Sequence, residues 1–366
     1  MRTSGKEMKI RISKDSVLMR MFVLSLTACI AAVLATSCEE QEPEMISDTQ
    51  FALGTTCTVQ LYGAKQRKHI APVFELIEEV ENKMSVRKDG TEAKRVNEMA
   101  GRSPVDVGDK TFTVVEKAKE YSAMSGGTFD VTIEPLVELW SIGSEDQKVP
   151  SDGEIEQALK YVDYRKLRLD RRNSTVFLVE EGMGIDLGGI AKGYAADISV
   201  DYLLEQGVDY GIINFGGNVY AFGEKYDSES WRIGIQAPGE NRGSYVGIAE
   251  IRDKAVVTSG KYERYFVQDG VRYHHILSTE DGYPVRNGLA SVTVITDRSL
   301  DADALSTLLF TLGLDEGIRR AEELEDVEAV FLTEEKIVYT TGGLREKFTI
   351  SEDGYKRGEA KSLLAD

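Results

Sequence analysis

The chain has 366 residues, of which 42% are hydrophobic and 29% are charged. This length and balance are typical of a soluble globular protein with a substantial core, and they exclude a disordered or low-complexity chain. A formal net charge of −18 argues against nucleic-acid binding, which needs a basic face. Such a chain can still bind an anion if a metal ion, main-chain N–H groups or a few placed cations neutralise it.

Residues 1–37 have the composition of a bacterial export signal. Basic residues precede the apolar run 21–35, and small residues then lead to Cys38. This order resembles a lipoprotein signal with lipidation at Cys38, although Ala35 stands where leucine is more usual. We therefore expect an exported protein that is lipid-anchored to a bacterial membrane on its periplasmic side. An uncleaved membrane anchor is disfavoured, because the apolar run is shorter than the roughly 20 residues that a spanning helix needs.

The number and positions of the cysteines limit which metals the chain can bind. If Cys29 leaves with the signal and Cys38 carries lipid, Cys57 is alone and no internal disulfide can form. Cys57 and the histidines have no spacing that is typical of a zinc site. A bound metal would therefore have oxygen ligands, which favours Mg²⁺ or Ca²⁺.

The rest of the chain mixes helical and strand patterns. Residues 38–50 are expected to form an acidic tether, residues 51–350 the folded domain, and residues 351–366 a C-terminal tail. Since the patterns do not alternate as regular β–α–β units, they indicate an α+β fold with mixed sheets and packed helices. Helices are predicted at 71–85, 111–127, 153–163, 190–207, 301–313 and 317–325. Strands or strand pairs are predicted at 51–63, 174–189, 210–223, 231–237, 246–253, 255–260, 263–277, 291–297 and 327–344.

A hairpin is predicted around Asp269-Gly270, a dipeptide that favours a two-residue turn between strands. Counting outward from this turn places Arg264 opposite His275, with His274 on the other face of the sheet. His275 could be a general base, or it could be a histidine whose hydrogen bonds are satisfied within the sheet.

Two Gly-rich turns could approach a phosphate group. Residues 183–194 end a strand, carry Asp186 and begin a helix, but they lack both the Walker A and the dinucleotide-binding spacing. A second turn of this kind carries Phe129 and Asp130. Each has a structural alternative, with the two aspartates as caps and Phe129 in the core. The similar stretch 214–219 is interpreted as packing.

The helix predicted at 301–313 has two specified faces. Its leucines form one apolar stripe, and the side-chain oxygens of Asp303, Ser306 and Thr307 cluster on the opposite side. These oxygens could be a carboxylate near the helix N-terminus and two hydroxyls bonded to the backbone. They could also form part of a metal site, which would need further oxygens from elsewhere in the chain.

The order of these motifs along the chain is more specific than any one of them. They are LGTTCTV (53–59), SVRKDGTEAKRVN (85–97), GGTFDVTIEPLVELW (126–140), GIDLGGIAKGYAAD (184–197), NFGGN (214–218), TSGKYERYF (258–266), HHILSTEDGYPV (274–285) and SVTVITDRSLDADALSTLLFTLG (291–313). Together they resemble the ApbE-type FAD:protein FMN transferases over nearly all of the expected mature chain. The resemblance implies a T-fold-like architecture and an enzyme that cuts the pyrophosphate of FAD, releases AMP and joins FMN to a threonine or serine. The implied acceptors are exported or membrane redox proteins with a short Thr/Ser flavinylation motif.

The resemblance also implies roles for individual residues. Asp303 and Thr307 would ligate Mg²⁺, together with Ser306 and the main-chain oxygen of Gly189. Flavin contacts carry over to Leu53, Arg87, Thr128, Phe129, Asp130, Asp186, Lys192 and Ile276.

Residues around the implied base depart from the family pattern. His275 matches the histidine that deprotonates the acceptor hydroxyl, with a carboxylate such as Asp186 as an alternative base. Ser278-Thr279 replace the Asp-Pro that usually follows this histidine, and Leu53 replaces a methionine in the flavin pocket.

Two other functions remain open at this stage. One is an FAD pyrophosphatase that gives free FMN and AMP, with water in place of the acceptor hydroxyl. The other is a lipid-anchored protein that binds FAD without chemistry. The oxygen face of the 301–313 helix distinguishes storage from catalysis, because simple storage does not need Asp303 and Thr307.

Overall fold

The computed structural model describes residues 43–225, 229–239 and 243–359. The expected signal 1–37 and Cys38 therefore lie outside the described residues. Within that part of the chain, no helix is both long enough and apolar enough to cross a membrane. The helices are α1 Ile70–Met84, α2 Glu92–Glu98, α3 Asp109–Met124, α4 Glu134–Trp140, α5 Asp152–Leu159, α6 Ala191–Glu205, α7 Ser299–Leu312 and α8 Leu314–Glu323. The strands are β1 Met45–Ala52, β2 Thr55–Tyr62, β3 Val105–Asp106, β4 Leu167–Asp170, β5 Thr175–Leu178, β6 Gly211–Phe215, β7 Asn218–Phe222, β8 Trp231–Gln236, β9 Tyr245–Ile251, β10 Lys254–Gly260, β11 Tyr265–Gln268, β12 Val271–His274, β13 Leu289–Thr296, β14 Glu328–Thr333, β15 Ile337–Thr340, β16 Phe348–Ile350 and β17 Lys356–Arg357.

A large sheet of nine strands lies at the centre of the fold, in the order β1-β2-β6-β7-β10-β13-β14-β15-β17. Its neighbouring strands pair antiparallel, except that β15 and β17 are parallel. The central strand β13, with the sequence LASVTVIT, is buried along its whole length. A strand of this composition is expected where both faces of a sheet are covered.

The residues of β10 show what covers each face of the large sheet. Ala255 and Val257 lie in the core that the sheet shares with α1, α6 and α7. Val256, which points the other way, lies in a second core with strands of the small sheet β16-β9-β8. The fold therefore has three layers, a helical layer, the large sheet and a small sheet, which is the predicted α+β class.

A third, smaller core lies under the β11–β12 hairpin. Trp140 of α4 is fully buried there, and its indole N–H donates to the carbonyl of Gly282 over 2.9 Å. The hairpin has the predicted register, and the main-chain N–H of His275 donates to the carbonyl of Arg264 over 3.1 Å. This register sets the position of the His275 side chain.

The N-terminal boundary of the domain differs from the expectation. Strand β1 begins at Met45, so the last residues of the expected tether 38–50 belong to the large sheet. Acidic composition suggested a tether, but every second residue of this segment can face solvent at a sheet edge. Leu53 and Gly54 form the two-residue turn to β2, with φ values of 52° and 68°. Both residues occupy the left-handed region, as this kind of hairpin turn requires.

Three other segments pair differently from the simplest prediction. The segment 174–189 contributes only β5, which pairs with the preceding β4. The segment 210–223 is two antiparallel strands, β6 and β7, joined at Gly216-Gly217. Strand β17 lies within the expected tail 351–366 and extends the large sheet beside β15.

Candidate active site

A cavity of about 710 Å³ opens where the start of α6, the face of α7, β10 and the segment after β12 come together. This volume lies within the range of small-molecule and cofactor sites. Of the thirteen site residues predicted in the described part of the chain, all but Ser306 line the cavity. They are Leu53, Arg87, Thr128, Phe129, Asp130, Asp186, Gly189, Lys192, His275, Ile276, Asp303 and Thr307.

The oxygen face of α7 forms one wall of the cavity. Asp303 is only 3% exposed, and its Oδ2 accepts a hydrogen bond from the main-chain N–H of Gly193 over 3.0 Å. The ammonium of Lys192 lies 3.1 Å from Oδ1 and 3.4 Å from Oδ2 of the same carboxylate. The leucines of α7 lie in the core behind this wall, so both predicted faces of the helix are confirmed.

Ser259 of β10 links the two hydroxyls of the same wall, a contact that the sequence did not suggest. Its Oγ lies 2.8 Å from Oγ of Ser306 and 2.9 Å from Oγ1 of Thr307. The Ser306 hydroxyl also donates to the main-chain oxygen of Asp303 over 2.9 Å. Ser306 is fully buried behind Ser259, so it supports the wall rather than facing the cavity.

The donor set suits a hard divalent cation. In the described residues, no group of three or more His, Cys, Asp or Glu side chains is arranged to hold a metal. A metal here would have to combine the Asp303 carboxylate with the Thr307 hydroxyl and main-chain oxygen, and Mg²⁺ accepts such oxygen ligands. The Lys192 ammonium already lies against both oxygens of Asp303, which shows that a cation is accommodated at this carboxylate. A Cβ on Gly189 would lie 3.4 Å from the Phe129 ring and 3.8 Å from Thr307 Oγ1, so Gly189 adjoins the same wall.

His275 faces the cavity with a defined tautomer. Its Nδ1 lies 3.2 Å from the carbonyl oxygen of Arg264, and since a carbonyl only accepts, Nδ1 carries the proton. Burial, and then the Arg264 guanidinium, lower the pKa of His275 to about 3. The imidazole is therefore neutral at pH 7, with an unprotonated Nε2 that can accept a proton.

Asp130 lines the cavity, and its carboxylate also stabilises the turn around it. Oδ1 accepts from the main-chain N–H and the hydroxyl of Thr132 over 2.8 and 2.7 Å, and Oδ2 accepts from the main-chain N–H of Tyr164 over 2.9 Å. Burial raises the pKa of Asp130 above its ordinary value. These bonds fix the turn that presents Thr128 and Phe129 to the cavity, but Asp130 is not a helix cap, because α4 has Ile133 at its N-cap position and no side-chain cap.

Asp186 has an unexpected neighbour, Glu134 of α4. Oδ1 of Asp186 accepts from the main-chain N–H of Gly188 over 2.6 Å, and its carboxylate lies near Glu134, whose Oε2 is buried without a hydrogen-bond partner in the described part of the chain. Burial, and then the charge of Asp186, raise the pKa of Glu134 to about 10. Glu134 is therefore protonated at neutral pH. Sequence reasoning assigned it no role, although it lies in the stretch 126–140 that carries part of the family resemblance.

The cavity mouth is formed by the β1–β2 turn and the end of α1. Leu53 is half-buried there, and the Phe51 ring next to it is 79% exposed. Arg87 and Lys88 follow α1 and bring positive charge to the same rim. On the inner side, Thr128 Oγ1 accepts from the Thr311 hydroxyl over 3.2 Å.

The fold and the cavity define a class of α+β protein in which a cavity of cofactor size lies between an oxygen-rich wall and a neutral histidine. Comparison with known proteins identifies the family. A sequence model of the ApbE family matches residues 53–331, which is well over half of the chain. The chain belongs to the ApbE family.

Individual relatives agree with this assignment. The chain is 38% identical over 304 residues to an FAD:protein FMN transferase of Klebsiella pneumoniae, which covers 83% of this chain and 94% of that protein. It is 34% identical over 321 residues to an FAD:protein FMN transferase of Treponema pallidum, covering 83% of this chain and 89% of that one. The crystal structure of the ApbE protein of Thermotoga maritima matches with a TM-score of 0.78 at 32% identity, over 83% of this chain and 99% of that one.

Proposed function

We propose that this protein transfers FMN from FAD to a threonine or serine hydroxyl of an acceptor protein and releases AMP. The observation that carries the proposal is the neutral His275, which lines the same cavity as the oxygen wall of Asp303 and Thr307. A base and a charge-neutralising site within one cavity are what transfer of a phosphoryl group to a hydroxyl requires. The relatives named above are FAD:protein FMN transferases, which supports the same reaction here.

In this reaction the acceptor oxygen forms a bond to the phosphorus of the FMN half of FAD, and the bond from that phosphorus to the AMP oxygen breaks. His275 Nε2 accepts the proton of the acceptor hydroxyl, while Nδ1–H stays bonded to the Arg264 carbonyl. The negative charge of a bound pyrophosphate raises the basicity of the imidazole at the moment when it is needed. The Arg264 carbonyl holds the ring in the productive tautomer.

A Mg²⁺ ion is part of the proposal. Asp303, Thr307 and the main-chain oxygen of Gly189 would hold it, with Ser306 supporting Thr307 through Ser259. When bound, Mg²⁺ would neutralise charge on the pyrophosphate and polarise the phosphoryl oxygen. Lys192, which contacts Asp303 in this structure, would then be available to a phosphate oxygen.

The remaining cavity residues are proposed to bind the flavin. Leu53, Phe129 and Ile276 offer apolar surface, while Arg87 and Thr128 offer polar groups. Asp186 adds a carboxylate acceptor at the same cavity, next to the protonated Glu134.

The cellular setting is proposed from the sequence alone. The export signal at 1–37 and lipidation at Cys38 would place the enzyme on the periplasmic side of a bacterial membrane. Acceptors in that compartment would be exported or membrane redox proteins with a Thr/Ser flavinylation motif.

The proposal is tested by mixing the mature protein with FAD, Mg²⁺ and an acceptor that carries the motif, and then weighing the acceptor by mass spectrometry. We expect a gain of one FMN that EDTA abolishes. AMP and free FMN without acceptor labelling would instead identify an FAD pyrophosphatase. FAD that binds but stays intact with Mg²⁺ present would overturn catalysis and favour a storage protein.

The role of His275 is tested in the same assay with His275→Ala. We expect labelling to slow by about 10²- to 10⁴-fold, the usual contribution of a general base, while FAD still binds. The matched control is Val271→Ala, an exposed residue on the same face of the hairpin and outside the cavity wall. Labelling by His275→Ala at the wild-type rate would assign the base to another group, such as Asp186.

A further inference from the structure

Asn218, the first residue of β7, has an unused hydrogen-bond donor at the cavity. The residue is only 1% exposed, yet it lines the cavity. Its Oδ1 accepts a hydrogen bond from the hydroxyl of Ser299 over 2.7 Å. Its Nδ2, in contrast, has no hydrogen-bond partner in the described part of the chain. Buried amide N–H groups are rarely left unpaired, because the lost hydration is not replaced.

The sheet register shows which way this amide points. Asn218 is directly opposite Val257 in the β7–β10 pair, so the two side chains share a face of the large sheet. Ser259 is two residues beyond Val257 and therefore points to that face as well. Since Ser259 bonds the hydroxyls of Ser306 and Thr307, the Asn218 amide lies on the side of the sheet that carries the oxygen wall.

The Ser299 bond gives the amide a fixed orientation. Ser299 is the first residue of α7 and is fully buried, so its hydroxyl is part of the rigid junction between α7 and β7. With Oδ1 engaged there, Nδ2 is the group left for a ligand. A pre-oriented donor of this kind binds an acceptor without first losing rotamer freedom.

The ligand proposed for this cavity carries its strongest acceptors on the pyrophosphate, which lies at the oxygen wall if Asp303 and Thr307 hold the metal. Charged phosphate oxygens form stronger hydrogen bonds with N–H donors than neutral acceptors do. We propose that Asn218 Nδ2 donates to a non-bridging phosphate oxygen of FAD and positions the pyrophosphate against the wall. This inference rests on the proposed function, since it takes FAD as the ligand.

The test is a comparison of FAD and riboflavin binding with Mg²⁺ present, in a His275→Ala background where FAD is consumed slowly, with His275→Ala alone as the reference protein. Riboflavin has the flavin ring but no phosphate, so it reports on the rest of the cavity. For Asn218→Ala we expect FAD affinity to fall by roughly tenfold to a hundredfold, as for loss of a hydrogen bond to a charged group, with riboflavin affinity within about threefold of the reference protein. The control is Asn173→Ala, which removes an exposed asparagine from the β4–β5 turn.

A second variant tests the donor itself. Asn218→Asp keeps an acceptor for the Ser299 hydroxyl but replaces N–H₂ with an oxygen, so we expect FAD binding to weaken at least as much as in Asn218→Ala. The inference is overturned if Asn218→Asp binds FAD as tightly as the reference protein, or if Asn218→Ala weakens riboflavin and FAD equally. Because no turnover is measured, this result is independent of acceptor labelling, whose failure would count against the proposed function instead.

Discussion

Two buried aspartates at the contact between α6 and α7 have nearly equal burial but different surroundings. Asp197 of α6 is 2% exposed and accepts hydrogen bonds from the main-chain N–H groups of Ser299 and Leu300, over 2.7 and 3.0 Å. Asp303 of α7 is 3% exposed and accepts one main-chain hydrogen bond, from Gly193 in α6. Each helix thus supplies a carboxylate to the first turn of the other.

The difference lies in the remaining partner of each carboxylate. The remaining partner of Asp197 is Arg298, whose Nε lies 3.3 Å from the Asp197 carboxylate. The same guanidinium also forms an ion pair with Asp201. The remaining partner of Asp303 is the Lys192 ammonium at the cavity wall, with which it forms an ion pair. The first site is closed by groups with no access to the cavity, whereas the second faces the cavity.

The neighbouring histidines show the same contrast. His274 Nε2–H donates to the carbonyl of Val285 over 3.0 Å, and its Nδ1 accepts from the main-chain N–H of Ile276 over 3.3 Å. His275 uses only Nδ1, for the Arg264 carbonyl, and lines the cavity. Asp303 and His275 therefore keep a bonding position that faces the cavity, whereas Asp197 and His274 do not, and we expect function from the first two.

Asp303→Asn, which replaces the aspartate that faces the cavity, is expected to have the largest effect, and that effect is on catalysis. Loss of the carboxylate charge should weaken cation binding and slow AMP release from FAD by about 10³-fold or more. Thermal stability should change little, because the amide oxygen can still accept from Gly193. Initial rates at high Mg²⁺ and a melting curve measure both effects. Asp301→Asn, in the same helix but outside the cavity wall, is the control. Wild-type rates in Asp303→Asn would remove this residue from the metal site.

Local sequence pattern predicted the elements whose partners are close in the chain. The period of α7 and the turn at Asp269-Gly270 depend only on neighbouring residues, and both are confirmed. The gathering of twelve predicted residues at one cavity followed from the family resemblance, not from periodicity.

The missed residues depend on contacts across long stretches of chain. Asp197 caps α7 from 102 residues away, and Ser259 meets Ser306 from 47 residues away. Asn218 was interpreted as packing, because its free amide is visible only once β7 is beside β10 and α7. Glu134 was assigned no role, because only the fold brings Asp186 close to it. Such pairings have no local signature, since tertiary packing creates them.

Asp197, the aspartate without access to the cavity, is expected to contribute to stability and not to catalysis. In Asp197→Asn, the new N–H₂ group must face either a main-chain N–H of α7 or Arg298, so one buried donor loses its acceptor. We expect the free energy of unfolding to fall by about 3 kcal/mol, with the rate per folded molecule unchanged within about threefold. Urea unfolding and active-site-normalised rates measure the two quantities. Asp201→Asn, at a half-exposed ion pair, should cost less than about 1 kcal/mol. A rate loss without a stability loss would show that Asp197 acts in the site.

The smallest expected effect is on the pH dependence of stability, to which His274 contributes. Burial lowers the pKa of His274 to about 4, so between pH 6.5 and 4 the unfolded chain binds a proton at this residue that the folded chain does not. Stability contributed by neutral His274 is therefore complete above pH 6.5 and is lost as the pH falls toward 4.

His274→Gln removes this titration while keeping one donor for Val285 and one acceptor for Ile276. The stability difference between wild type and variant should shrink by about 1–2 kcal/mol from pH 7 to pH 5, as measured by urea unfolding at both values. His275 titrates in both proteins, so its contribution cancels in the difference. A difference that is the same at both pH values would mean that His274 is not held neutral by its closed set of bonds, and the contrast with His275 would then rest on cavity access alone.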